Sequence, residues 1–360
     1  MKCLALIHHQ MTRMARAKLA AAVLLLVIPA LGLYAGFYLE KEGLLPTLLG
    51  RQRSSKPVNK ELAGAPVSNR MDGVFADADG NLIADPPKPR DQINPVRLIL
   101  AVSGFESELV SEKWSPFLEH LAKAADRPVQ LELATFADQY KLRSMRDGEV
   151  HLAIIGAGTV PMAVNTGGFV PVAKLPTSDG TGRTHMQLIV PAASTVISPF
   201  QLSDAEFLFV DPHSNAGCKA AVVFLRSDFS LRPGREYTWR FSGSPRESIR
   251  QIAQRQAIVA AVAADALRDE VAAGSIRADQ YRVIYESESF PTAAIGYTHL
   301  LKVELAEKLR KAILSFDWKG TSLEPLLGSK RTQFLPVDFR NDWSLVRRID
   351  DATGTLHALP

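Results

Sequence analysis

The chain has 360 residues, 46% of them hydrophobic and 22% charged, with a formal net charge of +4. Those values suit a folded globular protein and exclude global disorder, a disulfide-knotted miniprotein and a multi-span channel. At about 150 residues per domain the length points to about two compact units, large enough to bury a core without staples.

The basic excess is not a nucleic-acid signature. Part of it lies at Lys2, Arg13, Arg16 and Lys18, and more at Arg51, Arg53 and Lys56; no aromatic-interleaved basic face follows. The two cysteines, Cys3 and Cys218, lie on opposite sides of an apolar run, so neither a disulfide framework nor a Cys-based zinc site is expected. The eight histidines show no HExxH spacing. No metal or cofactor is expected.

Residues 1–18 read as a basic cytoplasmic tail. Residues 19–39 carry no charge. At about 1.5 Å per residue they make a helix of roughly 30 Å, enough to cross a bilayer. Positive charge precedes the run, which places the remainder outside the cytoplasm. Ala30-Leu31-Gly32 offers a cleavage site, yet the run stays apolar beyond it, which favours a retained inner-membrane anchor over a cleaved signal peptide. Residues 40–95 read as a linker. DPPKPRDQINP cannot sustain a helix, because each Pro restricts its predecessor. VFADADGNLIAD reads as a small hairpin around Asp79-Gly80-Asn81. Asp77, Asp79 and Asp85 read as a solvated turn, since Gly80 comes too early for an EF-hand loop and no bidentate Glu follows.

From Val96 strands and helices alternate. VRLILAVSG is a strand, and SEKWSPFLEHLAKAA a helix with Trp114, Phe117, Leu118 and Leu121 at helical spacing. VQLELATF is a strand, ADQYKLRSMRDG a helix closed by Gly148, and VHLAIIG a buried strand. A short helix after Thr159 leads to VPVAKL and MQLIVPA. The second half repeats the pattern: FLFVD, CKAAVVFLRSD, YTWRFSG, SPRESIRQIAQRQ, AIVAAVAADALRDEVAAG, YRVIYES, IGYTHLL and the amphipathic VELAEKLRKAILSF. This implies an α/β fold with largely parallel sheets, in two lobes.

Three strand-to-helix turns carry small or hydroxyl residues. They are Gly156-Ala157-Gly158-Thr159, Asp211-Pro212-His213-Ser214-Asn215-Ala216-Gly217 and Ser242-Gly243-Ser244. A helix start leaves N–H groups unpaired and carries about half a positive charge, so an anion can sit there. Any one such turn is adequately explained as a helix cap. None fits GxxxxGK[ST] or GxGxxG, which disfavours nucleotides.

Residues 96 to about 348 resemble the phosphate/phosphite/phosphonate-binding proteins of ABC importers, with a type II periplasmic-binding fold. The resemblance rests on LRSMRDGEVHLAIIG, FVDPHSNAG, FSGSPRESI, AAVAADAL, YRVIYESESFP and FLPVDFRNDWSLVRRI, in that order. It implies a bilobed clamp over 96–350, with lobes of about 96–185 plus 295–350 and about 186–294, and a tail at 351–360. It also implies a ligand held in the cleft by hinge closure, and an ABC transporter permease as partner. The family's Ser-Thr-Ser-Gly anion loop matches Ser214-Asn215-Ala216-Gly217: Ser214 is kept, Asn215 can donate, and Ala216 lacks the hydroxyl. Ser242 and Ser244 belong to the next loop, where Pro245-Arg246 stands for the family's His-Asp, and Arg246 can pair with an anion or face solvent. Gly158 and Thr159 occupy the first-lobe turn without the family's aromatic. Asp265 corresponds to the acidic residue that receives a substrate amine, or else caps a helix.

Glu106 and Glu108 lie near the expected cleft as a weak acid–base pair. Arg183, with Thr181 and His185, lies in a Gly-rich hinge segment, and a Cys218–His213 nucleophilic pair is conceivable. No set of acid, base and nucleophile is complete, so an exported solute-binding protein for a small oxyanion is expected rather than an enzyme. The alternative is a membrane-tethered sensing ectodomain, or a degenerate binding protein, that reports to a membrane signalling partner.

Overall fold

The computed structural model describes residues 71–103, 109–134 and 139–354. The apolar run at 19–39, and with it the anchor or signal reading, lies outside these. Among the described residues no helix is long and apolar enough to cross a membrane.

The strands in chain order are β1 (Leu98–Ser103), β2 (Val129–Ala134), β3 (Leu152–Ile155), β4 (Phe169–Lys174), β5 (Arg183–Pro191), β6 (Glu206–Phe209), β7 (Thr238–Phe241), β8 (Val259–Ala263), β9 (Tyr281–Pro291), β10 (Ala294–Thr298) and β11 (Leu335–Pro336). The helices are α1 (Leu109–Ala125), α2 (Gln139–Arg146), α3 (Val160–Gly167), α4 (Ala220–Phe229), α5 (Pro245–Ala253), α6 (Ala264–Ala272), α7 (Val303–Ser315), α8 (Glu324–Leu327), α9 (Phe339–Asp342) and α10 (Ser344–Thr353). One sheet has the order β11-β4-β10-β3-β1-β2 and the other β7-β6-β8-β5-β9. β1 pairs in parallel with β2 and β3, and β6 with β7 and β8. The sheets are mixed rather than largely parallel: β10 lies antiparallel between β3 and β4, β11 pairs antiparallel with β4 at the edge, and β5 lies antiparallel between β8 and β9.

The central strands are apolar on both faces because helices cover both. Leu98, Ile99, Leu100, Ala101 and Val102 of β1 are all buried. On one side of the first sheet, Trp114, Phe117 and Leu121 of α1 meet Leu305, Leu309 and Ile313 of α7. The outer face of the second sheet packs Leu208, Ala260 and Val262 on Ile249 and Ile252 of α5 and Leu267 of α6. A third core includes residues of both sheets, from Ile99 and Ile155 to Phe207 and Ala261.

The chain passes from the first sheet to the second between β4 and β5 and returns between β9 and β10, and β5 and β9 pair antiparallel from Arg183↔Pro291 to Pro191↔Tyr281. Thr292 ties both passages, its hydroxyl donating to the Leu175 carbonyl at 2.5 Å and its amide to the Gly182 carbonyl at 3.3 Å. After β11 the chain leaves the first sheet, and α10 packs on α4 and the turn before it.

The hairpin expected around Asp79-Gly80-Asn81 does not form. Carboxylates organise that segment instead: Asp77 accepts from the Leu82 amide at 3.1 Å, Asp79 from the Asn81 amide at 3.1 Å, and Asp85 from the Ala78 amide at 2.8 Å. These local bonds satisfy backbone donors that a strand ladder would need. The segment lies against the domain. Asp72 pairs with Arg146 at 2.8 Å, and Phe75 meets the His299 ring edge-on at 4.9 Å.

Two expectations follow from this packing. A Cβ at Gly296 of β10 would lie 2.0 Å from the Val170 carbonyl oxygen, and backbone cannot yield as a side-chain tip can. Gly296→Ala should lower stability by about 1–3 kcal/mol in urea unfolding, and an unshifted midpoint would show the strands to be further apart. His151 is 6% exposed, and its Nδ1 accepts the Ile99 amide at 3.0 Å. Burial holds its pKa below the ordinary 6.5. The unfolded chain therefore takes up the proton first as pH falls below about 6.5, and stability is lost from there down to the folded-state value. His299 is shifted in the same direction, chiefly by burial. The urea midpoint should fall between about pH 7 and 5, and less steeply in His151→Gln; equal slopes would remove His151 as a contributor.

Candidate functional site

The second sheet brings two of the sequence's turns side by side. Register pairs Phe209 of β6 with Phe241 of β7 and Leu208 with Ala260 of β8, so β6 and β7 end together and β8 runs on beside them to Ala263. The turn after β6 stands between the turn after β7 and the start of α6. The Ser242 amide donates to the Phe209 carbonyl at 2.8 Å, and the Gly243 amide to the Val210 carbonyl at 2.9 Å. Gly243 takes φ +88°, which glycine accepts without strain.

The turn after β6 is built by its own side chains. Asp211 Oδ1 accepts from the His213 amide at 2.7 Å and the Ser214 amide at 3.0 Å. Ser214 Oγ accepts from the Gly217 amide at 3.0 Å, capping a π-helical turn, Asn215–Lys219, that runs into α4. Its hydroxyl proton remains able to donate. Gly217 is required here: a Cβ would lie 2.4 Å from a Val210 methyl. Asn215 is 3% exposed, and neither its amide oxygen nor its amide nitrogen has a hydrogen-bond partner. A buried carboxamide without partners is costly, so this is the group in the turn best matched to a ligand with both donor and acceptor. Ala216 is buried and contributes backbone and packing.

The remaining candidates are placed as follows. Ser242 Oγ donates to the Ser244 carbonyl at 2.9 Å and lies 2.7 Å from Ser248 Oγ. Ser244 caps α5, accepting from the Glu247 amide at 3.2 Å. Arg246 turns to Glu270 at 3.3 Å with its side chain 67% exposed. Asp265 accepts from the Thr184 hydroxyl at 2.5 Å, which ties the start of α6 to β5. Thr159 gives its helix no side-chain cap, while its amide donates to the Gly156 carbonyl at 2.9 Å. Arg183 is engaged by Ser289, donating to its Oγ at 2.9 Å and its carbonyl at 2.7 Å. Thr181 donates to Asp179 at 2.7 Å, and His185 Nδ1 lies 2.8 Å from the Ser287 carbonyl. Glu106 and Glu108 lie outside the described residues. Burial, with the charge of Asp211 adding to it, pushes the Cys218 thiol up to about 12. It stays protonated near neutral pH and offers no nucleophile.

The turn after β3 meets the turn after β6. A Cβ at Gly158 would lie 2.1 Å from the His213 carbonyl oxygen and 2.8 Å from the Asn215 nitrogen. Gly158 therefore allows two backbones from different sheets to touch. Lys219, which sequence reasoning missed, joins the same place: its ammonium donates to the Gly158 carbonyl at 2.6 Å and to Asp350 of α10 at 2.5 Å. Trp343 donates from Nε1 to the Ala157 carbonyl at 3.0 Å. The signal for Lys219 was present, because it is the lone charge in GCKAAVVFL, and a charge on a buried face must be paired.

A family model described as the periplasmic substrate-binding protein of a phosphonate ABC transporter matches residues 99–343. No curated protein matches the chain at a significant level. Solved structures share the fold at low identity. PhnD1 from Prochlorococcus marinus in complex with methylphosphonate is 14% identical with a TM-score of 0.62, the match covering 73% of this chain and 100% of that one. A Xanthomonas citri protein bound to ATP is 16% identical with a TM-score of 0.61 over the same shares. The binding-protein component of an ABC phosphonate transporter from Pseudomonas aeruginosa is 18% identical with a TM-score of 0.58, covering 68% of this chain and 82% of its own. With two α/β lobes and the family match over most of its length, the chain belongs to the periplasmic substrate-binding proteins of ABC phosphonate transporters, a family of extracytoplasmic solute binders rather than of enzymes.

Proposed function

We propose that this chain captures a small oxyanion (phosphate, phosphite or a phosphonate) at the turn Ser214–Gly217, as the solute-binding component that serves a membrane permease. One observation carries the reading: the buried Asn215 carboxamide has no partner, and it lies at a helix start beside a serine hydroxyl whose proton is available. A protonated oxyanion presents acceptor oxygens and an O–H donor together, which matches that pair of groups. The helix start adds partial positive charge for the anion. The neighbouring Ser242–Ser244 turn and the first-lobe residues Gly158 and Thr159 complete the proposed surroundings. The β4–β5 and β9–β10 connections, which lead into the paired strands β5 and β9, supply the hinge.

The second reading is a membrane-tethered sensing domain that reports to a membrane signalling partner. It is favoured by the apolar core shared between the two sheets, since such an interface resists free lobe motion.

The test is thermal unfolding of the purified chain against phosphate, phosphite, methylphosphonate and sulfate. A ligand at about 100 times its Kd stabilises the fold by about 2.7 kcal/mol, a clear rise in Tm. Asn215→Leu should remove the saturable rise. Absence of a rise with every one of these anions would overturn the oxyanion assignment. Ser214→Ala separates two roles. Loss of the cap should cost about 1 kcal/mol of stability even in ligand-free buffer. Loss of a hydroxyl that touches the anion should also weaken binding by about 1–3 kcal/mol. Unchanged affinity in the destabilised variant would confine Ser214 to capping.

A further inference from the structure

The contacts that join the two lobes are made by protein groups on both sides. The Gly158 turn belongs to the first sheet, the His213–Asn215 turn to the second, and their backbones touch. The Lys219 ammonium reaches across to the Gly158 carbonyl at 2.6 Å while paired with Asp350 at 2.5 Å. The two side chains of this pair are 6% and 1% exposed. Helix α10, which carries Asp350, also follows Trp343, whose indole holds the Ala157 carbonyl at 3.0 Å. Around these bonds Val160 and Ala163 of the first lobe and Ala216 and Ala220 of the second lie with Phe339 and Trp343 in one buried apolar cluster.

Opening the clamp would separate these groups. The Gly158 carbonyl would lose its ammonium, and apolar surface from both lobes would meet water. Relative domain motion is the ordinary expectation for a polar interface of modest size, and it fails where the interface is apolar. None of these contacts requires a solute between the lobes.

We propose that Lys219 is a latch that holds the two lobes closed through protein contacts alone, so that closure does not wait for a solute. The C-terminal segment from Phe339 to Thr353 acts as the clasp on which the latch is mounted. Solute entry then requires transient release of Lys219 from Gly158, and the small open fraction limits how fast the site fills. The latch itself does not depend on the ligand's identity; its effect on solute entry rests on the oxyanion reading.

The test measures the distance between lobes in the full-length chain in detergent micelles. Cys3 is replaced by Ser, and spin labels are attached at Glu119→Cys on α1 and Ala273→Cys after α6, both exposed positions. Cys218 is buried and stays unlabelled. The expected result is one narrow distance distribution, the same with and without methylphosphonate. Lys219→Met should broaden it and lengthen its mean. Should Lys219→Met fail to fold, Lys219→Met with Asp350→Leu removes both buried charges and keeps the apolar packing, and it should show the same broadening. A wild-type distribution that is broad alone and narrows with methylphosphonate would overturn the latch, as would a narrow distribution in a folded latch variant. Narrow wild type with broad variants supports the latch even where methylphosphonate binds neither, an outcome that counts against the oxyanion reading alone.

Discussion

A buried ammonium must be neutralised, and that requirement organises the centre of this molecule. Lys219 sits on the first turns leading into α4, among buried residues that are mostly apolar: Ala216, Cys218, Ala220, Ala221 and Val223. Lys219 is 5% exposed, so its charge is met by Asp350, from a segment 131 positions away in the chain, rather than by bulk water. Removing one partner of such a pair typically costs about 3–5 kcal/mol, because the other charge is stranded. The pair therefore fixes where α10 lies on the second lobe. The same ammonium also holds the Gly158 carbonyl, so the first lobe is positioned by the same charge.

The anion turn depends on that positioning. Its own framework is local: Asp211 holds the His213 and Ser214 amides, Ser214 holds Gly217, and Gly217 lets the chain pass close over Val210. What faces it is not local. Gly158 comes from the other sheet, and only a residue without a side chain can lie against the His213 carbonyl. The two glycines thus serve different purposes. One closes a turn on its own strand, and the other brings two lobes into contact.

Much of the fold was legible in the sequence, and the reason is periodicity. LILAVS, LAII and EFLF are short apolar runs bounded by turn residues, and each became a strand. Trp114, Phe117 and Leu121 recur at helical spacing and face one core. The segment around Asp79-Gly80-Asn81 was misread because its alternation resembles a hairpin, while the side chains of Asp77, Asp79 and Asp85 take the backbone donors instead. Within the site, the capping role of Ser214 follows from its place before a helix. The engagement of Asp265 with Thr184 and of Arg246 with Glu270 could not be read, since each partner lies on another element.

The sequence by itself determined the alternation of strands and helices, the turns rich in small residues, and the family resemblance carried by FVDPHSNAG and FLPVDFRNDWSLVRRI. Those are properties of neighbouring residues, and local sterics and hydrophobic spacing set them. Only the tertiary structure decided that Asn215 is buried without a partner and that Gly158 lies against the opposing turn. Only it joined Lys219 to Asp350. Burial and charge pairing are relations between segments far apart in the chain, and they exist only once the two sheets have been brought together.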